Sequence, residues 1–162
     1  MLIPDYTRLN QFLINKSWKE ADIETRSLML LVTGADKRQD ILLTESDIQH
    51  FPCEILESIN DLWVKASHGK FGFSIVSSIY RSVDGDYSKL AELVGWKKGV
   101  NWINYDQISF SNDANIGHLP LTWVVPSTFS IYWSSRFASA GWKRLLSRIE
   151  ICKINMPRIR GQ

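Results

Sequence analysis

The chain is poor in the residues that usually announce a chemistry. It has two cysteines, three histidines and five prolines in 162 residues. Cys53 and Cys152 lie far apart, without metal-ligand spacing and beside apolar neighbours. That pattern predicts buried thiols in a reducing compartment and no zinc site. His50, His68 and His118 are equally scattered. The phosphate-cradling, dinucleotide-binding and zinc-protease motifs are absent, and so is the nucleophile elbow. The carboxylate pairs Asp22 with Glu24 and Asp84 with Asp86 read as helix surface and turn chemistry. These absences argue against an enzyme and against a metal or cofactor of the protein's own.

Long apolar runs are also missing, so no transmembrane segment is expected. The opening MLIPDY has neither the basic nor the apolar part of a secretory signal, and no transit peptide is expected. Charge of either sign is scarce in net terms, at +2. Its distribution is uneven. Eleven acids face six bases through Asp61, whereas Arg136, Lys143, Arg144, Arg148, Lys153, Arg158 and Arg160 crowd the C-terminal part. The acidic first half and the lack of nucleic-acid-binding signatures argue against a nucleic-acid partner, and leave a basic helix face and tail.

What the chain does have is tryptophan: Trp18, Trp63, Trp96, Trp102, Trp123, Trp133 and Trp142. Such rings build a core or line a site for a large flat ligand. A hydrophobic fraction of 44% in 162 residues suits one domain with a sizeable core. Periodicity predicts mainly helix. A first helix follows Asp5, and a second follows the S-x-x-E capping pattern at Ser17 to Glu20. Trp18, Ala21, Thr25, Leu28, Met29 and Val32 form its inner stripe, with Glu20, Asp22, Glu24 and Arg26 on a solvated face.

The central stretch Phe51 to Ser74 organises the rest. Pro52 suits a helix start, and Ile55, Ile59, Leu62, Trp63 and Ala66 share one face. Phe71-Gly72-Phe73 then places two rings beside a position where another backbone can approach closely. Short helices over 74–83 and 87–94 follow, then an extended segment or hairpin near 101–110. Ser111 to Pro120 reads as a long loop of the functional or mobile kind. A last helix over 134–152 carries Phe137, Gly141, Leu145, Ile149 and Cys152 on its stripe. One domain over 1–155 and a short basic tail over 156–162 are expected.

Ordered along nearly the whole chain are Trp18-Lys19-Glu20-Ala21-Asp22, Phe51-Pro52-Cys53, Leu62-Trp63-Val64-Lys65 and Gly69-Lys70-Phe71-Gly72-Phe73-Ser74. Val94-Gly95-Trp96, Gly117-His118-Leu119-Pro120 and Arg148-Ile149-Glu150-Ile151-Cys152 complete the series. This set resembles the genomes-uncoupled-four (GUN-four) domain family. The resemblance implies a single, mainly α-helical domain shaped like a cupped hand. It implies binding of protoporphyrin IX or magnesium protoporphyrin IX and stimulation of magnesium chelatase through its large porphyrin-binding subunit, without catalysis. Carried onto this chain, it implies a porphyrin cup of Leu28, Ile48, Phe51, Trp96, Trp102, Phe110, His118, Leu119 and Trp123. The stretch 104–135 holds no Arg or Lys, which leaves Lys97, Lys98 and Arg136 as candidates for the ligand's propionates. A core-only form from a plastid genome or a cyanobacterium is implied, acting in the chloroplast stroma or the cyanobacterial cytoplasm as a monomer, with peripheral membrane association allowed. The alternatives are an interaction or signalling module of the same fold, or a bilin or haem carrier. For the last, His118 is an axial ligand or else a hydrogen-bonding residue.

Overall fold

The computed structural model describes residues 2–124, 134–136 and 138–154. Among them are seven α-helices and one two-stranded hairpin. α1 (Thr7–Ile14) and α2 (Trp18–Thr33) pack on one another. The link between them needs Lys16 at φ 56°. Two expected caps shift. Asp5 sits two residues before the helix and accepts from the Thr7 N–H at 2.9 Å, and Ser17 makes no side-chain cap at all. The reciprocal capping box belongs instead to α3 (Glu45–Gln49), where Thr44 and Asp47 exchange bonds.

α2 buries more than its stripe. Trp18, Ala21, Thr25, Leu28 and Met29 face inward as expected, but Asp22 is wholly buried and Arg26 nearly so. Periodicity had placed both on the solvated face. Asp22 is covered by residues 121–124, which pack on α2 and supply backbone donors to its carboxylate, and Arg26 reaches the Ile41 carbonyl at 3.3 Å.

α4 (Cys53–Ala66) starts directly after Pro52 and buries Ile55, Leu56, Ile59, Trp63 and Val64. Leu62 and Ala66 stay half-exposed. The Trp63 indole donates to the Thr25 hydroxyl at 2.8 Å and packs with Trp18 and Phe71. Gly72 then enters a close approach. At φ 138° a Cβ there would lie 2.7 Å from Val64 Cγ2, and its N–H donates to the Leu119 carbonyl at 3.1 Å. Asn60 Oδ1 caps the next turn by accepting from the Ser74 N–H at 2.8 Å.

α5 (Phe73–Ser82) and α6 (Tyr87–Leu93, capped by Asp86) lead into the hairpin β1 (Lys97–Lys98) and β2 (Asn101–Trp102). The hairpin therefore turns at Gly99-Val100, earlier than 101–110, because Gly99 supplies a left-handed residue at φ 61°. Residues 105–107 are a single 3-10 turn. α7 runs from Ser139 to Ile151, starting five residues later than expected, and turns Trp142, Leu145, Leu146 and Ile149 inward. Trp142, not Gly141, fills that stripe. Phe137, Trp133 and the basic tail lie outside the described residues.

The expectation of two thiols is overturned. Cys53 and Cys152 form a disulfide that ties the start of α4 to the end of α7, both residues half-buried. Sequence spacing had no access to this, because the pair is brought together only when α3 packs on α7. Arg148 Nε reinforces the same junction by donating to the Phe51 carbonyl at 2.9 Å.

Candidate functional site

Residues 101–124 carry Trp102, Phe110, His118, Leu119 and Trp123 among the candidates, and the later part of this backbone is pinned at several points. The Asp22 carboxylate accepts from the N–H groups of Leu121 (3.2 Å) and Thr122 (3.0 Å). The Gly117 N–H donates to the Lys70 carbonyl at 2.8 Å. Asn112 receives the Trp18 indole N–H at 2.6 Å and the Lys70 ammonium. The stretch 111–124 is therefore tied to the rest of the domain at residues 112, 117, 121 and 122.

His118 is the hub of this fastening. Its Nδ1–H donates to the Val94 carbonyl at 2.7 Å, and its Nε2 accepts from the Ser109 N–H at 3.0 Å. Only the neutral Nδ1–H tautomer makes both bonds. Burial holds its pKa below the usual imidazole value, against the pull of the Val94 carbonyl. Both ring nitrogens are thus engaged with backbone, which is the hydrogen-bonding role. His118 also presents its own carbonyl to the Trp96 indole N–H at 2.9 Å. In this way the two short motifs around Gly95 and Gly117 lock together.

The candidates then divide by exposure. Leu28, Ile48, Phe51, Trp96, His118, Leu119 and Trp123 each retain no more than 4% exposure. Trp96 and Trp123 flank Trp142, at centroid distances of 4.9 and 5.3 Å, and Trp123 meets Phe73 edge-on at 6.4 Å. Ile48 and Phe51 sit at the α7 junction, and Leu28 lies in the core stripe of α2. They are not gathered into one open wall. Trp102 and Phe110 are half-exposed, as is Tyr105 between them. Trp102 stacks on Tyr87 at 6.1 Å and 15°, and Tyr105 meets Phe110 at 6.4 Å.

Among the propionate candidates, Lys97 donates to the Ser88 hydroxyl at 2.6 Å and lies 5.2 Å from the centre of the Trp102 ring. Lys98 and Arg136 are exposed. A further cation comes from an unexpected direction. Lys19, on α2, sits 5.9 Å from the Tyr105 ring and 6.0 Å from the Phe110 ring. Helical periodicity gave it only a surface position. Its one available signal was the i, i+3 relation to Asp22, which puts both on one side of the helix. Burial pushes the Asp22 carboxyl up to about 6, partly offset by the Thr122 and Leu121 donors. Tyr105 is raised too, chiefly by burial and then by the Asp22 charge. Among the described residues no group of His, Cys, Asp or Glu is arranged to hold a metal ion, and no helix is long and apolar enough to cross a membrane. The arrangement offers half-exposed ring faces with ammonium groups above them on a rigid base, which suits a flat ligand carrying negative charge.

Comparisons with known proteins agree with this architecture. A model of the GUN4-like family matches residues 2–134. The chain is 34% identical over 120 residues to a Ycf53-like protein of Synechocystis, covering 72% of this chain and 51% of that protein. It is 31% identical over 126 residues to the chloroplastic tetrapyrrole-binding protein of Arabidopsis thaliana, covering 70% of this chain and 47% of that protein. The chain thus spans about half the length of these curated relatives. The ligand-free structure of Arabidopsis thaliana GUN4 superposes with a TM-score of 0.68 at 27% identity, over 97% of this chain and 95% of that one.

Proposed function

The chain belongs to the GUN4-like family, and from that premise we propose that it is a non-catalytic, tetrapyrrole-binding regulatory protein. The ligand is protoporphyrin IX or its magnesium complex, and the process served is magnesium insertion into porphyrin, through the large porphyrin-binding subunit of magnesium chelatase. The observation that carries the reading is the half-exposed rings of Trp102, Tyr105 and Phe110, with the Ser109 N–H next to Phe110 held by His118. A porphyrin is a flat apolar disc with two carboxylates, so it needs ring faces for its plane and cations at its edge. The Arabidopsis relative is described as tetrapyrrole-binding and chloroplastic, and the other relative is cyanobacterial. A chloroplast or a cyanobacterial cell is accordingly the proposed setting.

In this reading Trp102 and Phe110 touch the ligand. Leu28, Ile48, Phe51, Trp96, Leu119 and Trp123 support that surface from the core, and His118 fixes its backbone. Lys97, Lys98 and Arg136 remain proposed partners for the propionates.

Titration with deuteroporphyrin IX and its magnesium form, followed by tryptophan quenching, tests the proposal. Saturable quenching by at least one form, weakened in Trp102→Ala and Phe110→Ala, is expected. No binding of either form would favour a protein-interaction module instead, a reading supported by the burial of Ile48, Phe51, Trp96, Leu119 and Trp123.

A further inference from the structure

We propose that Lys19 is the residue that selects an anionic tetrapyrrole, by meeting a ligand carboxylate at the edge of the Tyr105–Phe110 ring pair. The inference rests on the tetrapyrrole-binding reading and adds the residue that reads the ligand's charge. Three observations converge on it.

The first is placement. Asp22 holds Leu121 and Thr122 against α2, and Lys19 lies one turn earlier on the same side. Its ammonium stands about equally far from two rings, 5.9 Å and 6.0 Å. Those rings are half-exposed, so a flat ligand resting on either one would bring its edge to this nitrogen.

The second is that the ammonium keeps its charge available. None of the ion pairs among the described residues involves Lys19, and the side chain is exposed. Asp22, three residues further along α2, spends its oxygens on two backbone N–H groups. Ring faces attract a cation without neutralising it, so a carboxylate that arrives meets an ammonium whose charge is intact.

The third is the state of the other cations. Lys97 is bonded to Ser88 and lies over Trp102. Lys98 and Arg136 are exposed, and among the described residues no ring lies under either. Among the described residues, Lys19 alone combines a charge outside any ion pair with two half-exposed rings.

The test compares deuteroporphyrin IX with its uncharged diamide on wild type, Lys19→Met, Lys19→Arg and Lys89→Met. Lys89 is an exposed lysine of α6 and controls for net charge. Lys19→Met should weaken binding of the diacid about tenfold, the scale of one charge-assisted hydrogen bond, and leave the diamide unchanged. Lys19→Arg should restore the diacid to within about threefold of wild type, since a cation over the rings is kept. Lys89→Met should change neither ligand. Undiminished diacid binding by Lys19→Met, or an equal loss for both ligands, overturns the assignment while the tetrapyrrole reading stands. Failure of wild type to bind either ligand overturns both.

Discussion

Asp22 makes stability depend on pH in an unusual direction. A buried carboxyl is less acidic in the folded protein, here about 6 against 3.8 for an ordinary aspartate. The folded state therefore binds the proton more tightly than the unfolded chain does. Its stabilising effect is complete below the unfolded value of 3.8 and is lost as pH rises through about 6. Full protonation is worth about 3 kcal/mol at ~1.36 kcal/mol per pH unit. Between pH 7.5 and pH 5 the linkage relation gives a gain of about 1.4 kcal/mol. For a domain of this size that is a rise in Tm of about 3–6 °C.

His118 works the other way, because its lowered value means that the fold loses stability as pH falls below 6.5. Wild type alone would mix the two. Asp22→Asn keeps an oxygen for the Thr122 N–H and removes the titration. The difference between wild type and Asp22→Asn, followed by urea unfolding at both pH values, should therefore change by about 1.4 kcal/mol in favour of wild type at pH 5. Parallel pH profiles for the two proteins would refute the claim that Asp22 is the buried, titrating fastener of residues 121–124.

Two further outcomes follow from the packing. Trp123→Ala should destabilise the fold by about 3–5 kcal/mol in chemical denaturation, because the ring is packed edge-on against Phe73 and Trp142; a near-neutral variant would show that this ring is not part of the core. Reducing the Cys53–Cys152 bond, or replacing both residues by serine, should cost about 2–5 kcal/mol, since the bond closes a loop of sequence separation 99. Unchanged denaturation midpoints with and without reductant would show that the α4–α7 junction holds without it.

The helices were largely legible because their signals are local. Ile55, Ile59 and Trp63 recur at helical spacing and are buried, and Pro52 marks the start of α4. The tight contact at Gly72 was legible for the same reason, as a ring–glycine–ring unit between apolar segments. What escaped was whatever depends on distant chain. Asp22 and Arg26 have the periodicity of an outer face, but residues 121–124 return to cover Asp22 and Arg26 donates to the Ile41 carbonyl. Cys53 and Cys152 look like isolated thiols until α3 meets α7. The stretch 111–120 reads as a free loop from its turn residues, yet those residues serve its anchors: Asn112 holds Trp18, and His118 joins Val94 to Ser109. Lys19 reads as surface because nothing local says that Tyr105 and Phe110 will lie beneath it.

The most direct test of the central claim is a tryptophan-quenching titration of the purified protein with deuteroporphyrin IX and its magnesium form, run alongside Phe110→Ala. The account predicts saturable binding of at least one form, weakened in the variant while its denaturation midpoint stays close to wild type. Absence of saturable quenching by either form would contradict the assignment of this domain as a tetrapyrrole-binding protein.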